Sequence, residues 1–182
     1  MNQKKAALLL IDLQVGPIYG VYKREETLTV IQSLIRKAEE EQIPIFYIQH
    51  EEQSGGFLER GTPFWQFAEG IEPRDGDYVI HKQSTDSFFE TPLHQELTSL
   101  GITDLVVGGV RTEYCVDTTC RRAVTLGYDV ILIADAHTTA DGAIPAELIL
   151  QHHNHNLSTV KTIANDIKVM AKAELSFHTV QR

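Results

Sequence analysis

Short apolar stretches rich in β-branched residues alternate along this chain with stretches whose apolar positions recur every three to four residues. The first kind reads as buried strand and the second as amphipathic helix. Ala6–Ile11 is a continuous apolar run and predicts a strand. Thr27–Gln42 carries Leu28, Ile31, Leu34, Ile35 and Ala38 on one helical face. Ile43–Ile48 is a second strand, with Pro44 among its first residues. Tyr78–Ile80 is a short third strand. A helix follows from Thr91 or Pro92 to Leu100, ended by Gly101. Asp104–Gly108 is a fourth strand, leading into a helix over Glu113–Leu126. Asp129–Ile133 is a fifth strand, and Pro145–His155 a helix with Pro145 in its first turn. Ser158–Ile163 reads as a short last strand and Ala164–Leu175 as a final helix.

Strands that alternate with helices imply a parallel sheet covered on both faces. The predicted fold is therefore a three-layer α/β/α sandwich with a mostly parallel central sheet of five or six strands. No repeat, low-complexity tract or linker divides the 182 residues, so residues 1–182 read as one domain. Glu51–Asp77 has no clear period. It holds several glycines together with Phe57, Phe64, Trp65 and Phe67, and reads as an ordered loop, either a wall or lid over a site or an interface.

Composition narrows the function classes. There are 16 basic and 25 acidic residues, a net charge of −9, which argues against nucleic acid or an anionic membrane as partner. No apolar run approaches the ~20 residues of a membrane helix. The chain enters a strand pattern without a signal-like apolar segment, and a cytoplasmic location is expected. Cys115 and Cys120 lie five positions apart on one expected helix and point in different directions, which predicts reduced thiols.

The candidate chemistry lies at the carboxyl ends of strands, where open parallel sheets bind ligands. Asp12 follows the first strand, Lys82 the third, and Cys115 follows the fourth across Gly108-Gly109-Val110-Arg111-Thr112-Glu113-Tyr114. A thiol at a helix start is favoured as thiolate by the helix dipole. A nearby cation lowers its pKa further, and a carboxylate can take and return its proton. Taken singly, each residue has an ordinary structural explanation: a turn aspartate, a surface lysine, a core cysteine. Gathered on one sheet edge they suggest a nucleophilic enzyme. Candidate binding residues are Gln14, Phe57, Trp65, Phe88, Arg111 and His137.

The segments Leu8–Gln14, Lys82–Phe88, Gly108–Val116 and Ala134–Thr139 resemble the isochorismatase-like superfamily of cysteine hydrolases, which includes nicotinamidases and N-carbamoylsarcosine amidases. The resemblance covers essentially the whole chain. It implies a catalytic triad of Asp12, Lys82 and Cys115. It also implies a cis peptide at Val110–Arg111, and an oxyanion held by backbone at Val110, Arg111 and Cys115. Nicotinamidases carry an Asp-x-His metal motif after the second strand. Here that region reads Gln49-His50-Glu51-Glu52-Gln53. No metal and no cofactor are therefore expected, because a lone His50 is a poor zinc site.

The implied reaction is cleavage of a C–N bond in a small amide or carbamoyl compound through a thioester on Cys115. The implied partner set is a small-molecule substrate and further copies of the chain, as a homodimer or homotetramer. A non-catalytic binding or scaffold protein on the same fold is the alternative. A redox sensor pairing Cys115 with Cys120 is weaker, for want of suitable spacing. The histidines of Gln151–His155 read as a polar helix end, and Gly108-Gly109 lacks the pattern of a nucleotide loop.

Overall fold

The computed structural model describes residues 4–177. Six strands form one sheet in the order β3-β2-β1-β4-β5-β6, and every neighbouring pair is parallel. They are β1 (Ala6–Ile11), β2 (Ile45–His50), β3 (Tyr78–Lys82), β4 (Asp104–Val110), β5 (Asp129–Thr138) and β6 (Ile167–Met170). Among the described residues four α-helices accompany them: α1 (Arg24–Glu40), α2 (Leu93–Ser99), α3 (Asp117–Thr125) and α4 (Ala146–Leu157). None is long and apolar enough to cross a membrane among the described residues.

The two sheet faces explain the unbroken apolar runs. In β1, Leu8 and Leu10 face one core, where α1 lays down Leu28, Ile31, Leu34, Ile35 and Ala38. Ala7, Leu9 and Ile11 face the other core, against Leu93 and Leu97 of α2, Cys120 and Val124 of α3, and Leu157 of α4. Alternate residues of one strand are thus buried on opposite sides, as a covered parallel sheet requires.

Two expected elements near the carboxyl end are corrected. Ser158–Ile163 is not a strand, and Ala164–Leu175 is not a helix. The last strand is Ile167–Met170, followed by a single 3₁₀ turn at Lys172–Glu174. Ile167 and Val169 pack into one core while Met170 packs against the other. That period of two suits a strand, and the segment pairs with Val130–Ile133 along the sheet edge. The expected helix over Glu113–Leu126 is also divided. A π-helical turn, Thr112–Val116, precedes α3.

β1 and β4 are neighbours, yet the chain winds outward from them in opposite directions. This pair is the topological switch point of the sheet, where a crevice opens beyond the carboxyl ends. Gly109 allows the close approach. Its φ is +138°, and a Cβ there would meet the Ile11 carbonyl oxygen at 2.2 Å.

Candidate active site

Asp12 leaves β1 in a left-handed backbone conformation, φ 53°, at the switch point. Aspartate tolerates that region better than most residues. Its side chain turns beneath the end of β2 and meets Lys82, the last residue of β3. Lys82 Nζ lies 2.8 Å from Asp12 Oδ2, and both residues are buried, at 2% and 3% exposure. The same ammonium donates to the Ser84 carbonyl at 2.9 Å, and it lies within hydrogen-bond distance of both His50 Nδ1, at 3.1 Å, and Cys115 Sγ, at 3.3 Å. Cys115 stands in the π-helical turn that follows β4. The Val110–Arg111 peptide at the end of β4 is cis.

These residues open on a cavity of about 280 Å³. Asp12, Cys115, Val110 and Arg111 line it, with Gly16 and Pro17 after β1 and His50, Glu52, Phe57 and Leu58 after β2. Thr85 and Tyr114 complete the lining. Much of this wall is carbon, and two of its aromatic side chains stay open: Phe57 is 55% exposed and Tyr114 is 54% exposed. The loop over residues 51–77 supplies one side. Its backbone is tied to the segment after β1, with Val15 N–H donating to the Gln66 carbonyl and Gly16 N–H to the Phe64 carbonyl.

Burial sets the protonation states. Burial disfavours the charged form of Lys82, but Asp12 and Cys115 outweigh it and hold the ammonium above its ordinary pKa. Burial and the Asp12 carboxylate push the Cys115 thiol up to about 12, against the pull of Lys82. Both work against the pull towards thiolate that the helix start and Lys82 supply. Desolvation is the largest of these effects, and it favours the thiol beside the carboxylate. His50 is held below its ordinary value by burial and by Lys82.

Of the residues singled out in the sequence, the fold brings together Asp12, Lys82, Cys115, Val110, Arg111 and Phe57. Four others lie elsewhere. Gln14 is fully buried and clamps the main chain of His50, accepting from its N–H at 2.8 Å and donating to its carbonyl at 2.9 Å. Trp65 stacks on His81, and its carbonyl accepts from Gln14 and Gln49. Phe88 is a core residue stacked on Tyr128. His137 is inside β5 and bonds Thr112 Oγ1 and Asn154 Oδ1; it borders a different cavity. The lining residues not singled out as site residues in the sequence are Gly16, Pro17, His50, Glu52, Leu58, Thr85 and Tyr114; most carry no signal beyond nearness to a strand end or to Cys115, and Leu58 carries none.

Asp12, His50 and Cys115 bring three potential metal ligand atoms within 4.8 Å of one another. All three side chains also border the Lys82 ammonium. The chain thus supplies its own cation to this donor set, and a divalent ion would meet a fixed positive charge.

The model of the isochorismatase domain matches residues 6–165. The chain belongs to the isochorismatase family. Over 143 residues it is 34% identical to a streptothricin hydrolase of Streptomyces noursei, covering 77% of this chain and 56% of that protein. Over 102 residues it is 35% identical to the ureidoacrylate amidohydrolase RutB of Klebsiella pneumoniae, covering 56% of this chain and 43% of that one. The chain therefore spans about half the length of these two relatives. An isochorismatase from Pseudomonas putida KT2440 superposes with a TM-score of 0.87 at 32% identity, covering 97% of this chain and 94% of that one.

Proposed function

We propose that this chain is a metal-independent cysteine hydrolase that cleaves a C–N bond of a small amide or carbamoyl compound through a thioester on Cys115. The observation that carries this reading is the buried ammonium of Lys82, shared between the Asp12 carboxylate and the Cys115 sulfur at the sheet's switch point. The relatives named as hydrolases support the reaction class.

The chemistry follows from the protonation states. Asp12 Oδ1 is buried without a hydrogen-bond partner among the described residues, leaving a lone pair for the thiol proton. Transfer of that proton from Cys115 to Asp12 leaves a thiolate beside the ammonium of Lys82. The thiolate attacks the carbonyl carbon, and the oxyanion is received by backbone N–H groups at Arg111 and Cys115. The C–N bond breaks as Asp12 returns the proton to the departing nitrogen, which leaves as amine or ammonia. Asp12, again a carboxylate, takes a proton from water. The hydroxide attacks the thioester, and Asp12 returns that proton to the sulfur as the acid leaves.

The test is a screen of small amides and carbamoyl compounds with mass spectrometry of the quenched enzyme. The expected result is turnover that survives chelator treatment, with an acyl adduct on Cys115. Cys115→Ala should lower the rate by more than about a thousandfold. Full turnover in Cys115→Ala would overturn the reading. Tight substrate binding without turnover in the unmodified protein would favour a non-catalytic binding protein on this fold.

A further inference from the structure

The environment of Lys82 holds more acceptors than it can serve. An ammonium has three N–H donors. Four acceptors surround Lys82 Nζ: Asp12 Oδ2 at 2.8 Å, the Ser84 carbonyl at 2.9 Å, His50 Nδ1 at 3.1 Å and Cys115 Sγ at 3.3 Å. The two shortest contacts claim two protons. The third is contested between a ring nitrogen and a sulfur. A thiol sulfur is a weak acceptor, whereas a thiolate accepts strongly.

We propose that His50 is a positioning residue that holds the third ammonium proton of Lys82 in the resting protein and yields it to Cys115 as the thiolate forms. His50 thereby sets how readily the nucleophile ionises. This rests on the assignment of Cys115 as the nucleophile.

Three further observations support it. The backbone of His50 is fixed from both sides by the buried amide of Gln14, which sets where the ring leaves the end of β2. The titratable groups facing His50 are Lys82 on β3, Asp12 after β1, Cys115 in the turn after β4, and Glu51 and Glu52 in the loop that follows β2. Burial together with Lys82 keeps the ring neutral. A neutral ring whose Nδ1 accepts from an ammonium carries its proton on Nε2, and Nε2 has no hydrogen-bond partner among the described residues. His50 also lines the cavity in which Cys115 stands.

The experiment follows the ionisation of Cys115 by its ¹³Cβ chemical shift against pH, which does not depend on reagent access. His50→Leu removes the acceptor while roughly keeping the volume. His50→Asn places a carbonyl oxygen near the Nδ1 position. The expected result is a thiol titration about one pH unit lower in His50→Leu, with His50→Asn close to the unmodified protein. A titration unchanged or higher in His50→Leu would overturn the proposal, as would an equal fall in His50→Asn. The ring ¹⁵N shifts of the unmodified protein supply a check that needs no variant. The Nε2–H tautomer is expected, and a proton on Nδ1 would overturn the proposal. Asp12→Asn separates the two levels of inference. If it leaves the thiol titration unmoved, the triad itself is not assembled and the hydrolase reading falls. If it moves the titration and His50→Leu does not, only the role of His50 falls.

Discussion

Cys115 lies where its own reactive form is disfavoured. Burial and the Asp12 carboxylate hold its proton on, and Lys82 pulls the other way. The two neighbours therefore act on the thiol with opposite sign. Asp12→Asn removes a negative charge and should bring the thiol down from about 12. Lys82→Met removes the cation that lies against the sulfur and should drive it higher. Both should nonetheless abolish turnover, the first by removing the base and the second by removing what stabilises the thiolate. Thiol titration by NMR together with steady-state rates checks this pair. A catalytic role for Asp12 as base predicts that a more acidic thiol accompanies a slower enzyme. Lys82→Met should also cost about 3–5 kcal/mol of stability, since it leaves the buried Asp12 carboxylate without its ion-pair partner. Urea unfolding would show it as a lower midpoint.

The site depends on two strands lying close at the switch point, and Gly109 is the residue that permits it. A Cβ at this position would strike the backbone of Ile11, one residue before Asp12, and the positive φ is unfavourable for any side chain. Gly109→Ala should push β4 from β1 and separate Cys115 from Asp12. A loss of about 3 kcal/mol is expected, with activity lost even in conditions where the variant remains folded. Denaturant titration and rates on the same sample measure both.

At this scale the sequence was legible where a period persisted. The runs of β1, β2, β4 and β5 and the apolar stripe of α1 were readable because each buries a regular set of positions. β6 was not, because four residues do not separate a strand period from a helical one. The failures at the site have a related cause. β5 continues through Thr138 rather than stopping at Ile133, so His137 is inside the sheet and not at its end. Gln14 and Phe88 belong to motifs beside the site, but their side chains face the protein interior. Neighbourhood in sequence placed the backbone of these residues, and only packing decided the direction of their side chains. His50 fell at a strand end as Asp12 and Lys82 did, yet its role depended on the position of an ammonium two strands of the sheet contribute to holding.

His137 ties the whole molecule together: it sits in β5, accepts from or donates to Thr112 in the turn before α3, and bonds Asn154 in α4. A neutral ring satisfies both contacts, with Nε2–H donating to the Asn154 amide oxygen and Nδ1 accepting from the Thr112 hydroxyl. The residue is 1% exposed, and burial lowers its pKa to about 4 from an ordinary 6.5. Between those values the unfolded chain binds a proton that the folded chain does not. The stability contributed by the neutral ring is therefore complete above 6.5 and is lost as pH falls towards 4, by about 3 kcal/mol over the window. Cys115 gives the opposite slope at the other end. Its folded-state pKa is raised, so its contribution is complete below 9 and is lost as pH rises towards about 12. The expected profile is a dome with two removable arms. His137→Gln keeps a donor for Asn154 but cannot titrate, so it should be less stable than the unmodified protein at pH 7, with the gap narrowing at pH 4.5. Cys115→Ala should make the alkaline arm shallower, with the buried Cys120 thiol supplying the remaining slope, and leave the acid arm alone. Urea midpoints at a series of pH values decide both, and an acid arm unchanged in His137→Gln would assign the acid loss to the carboxylates instead.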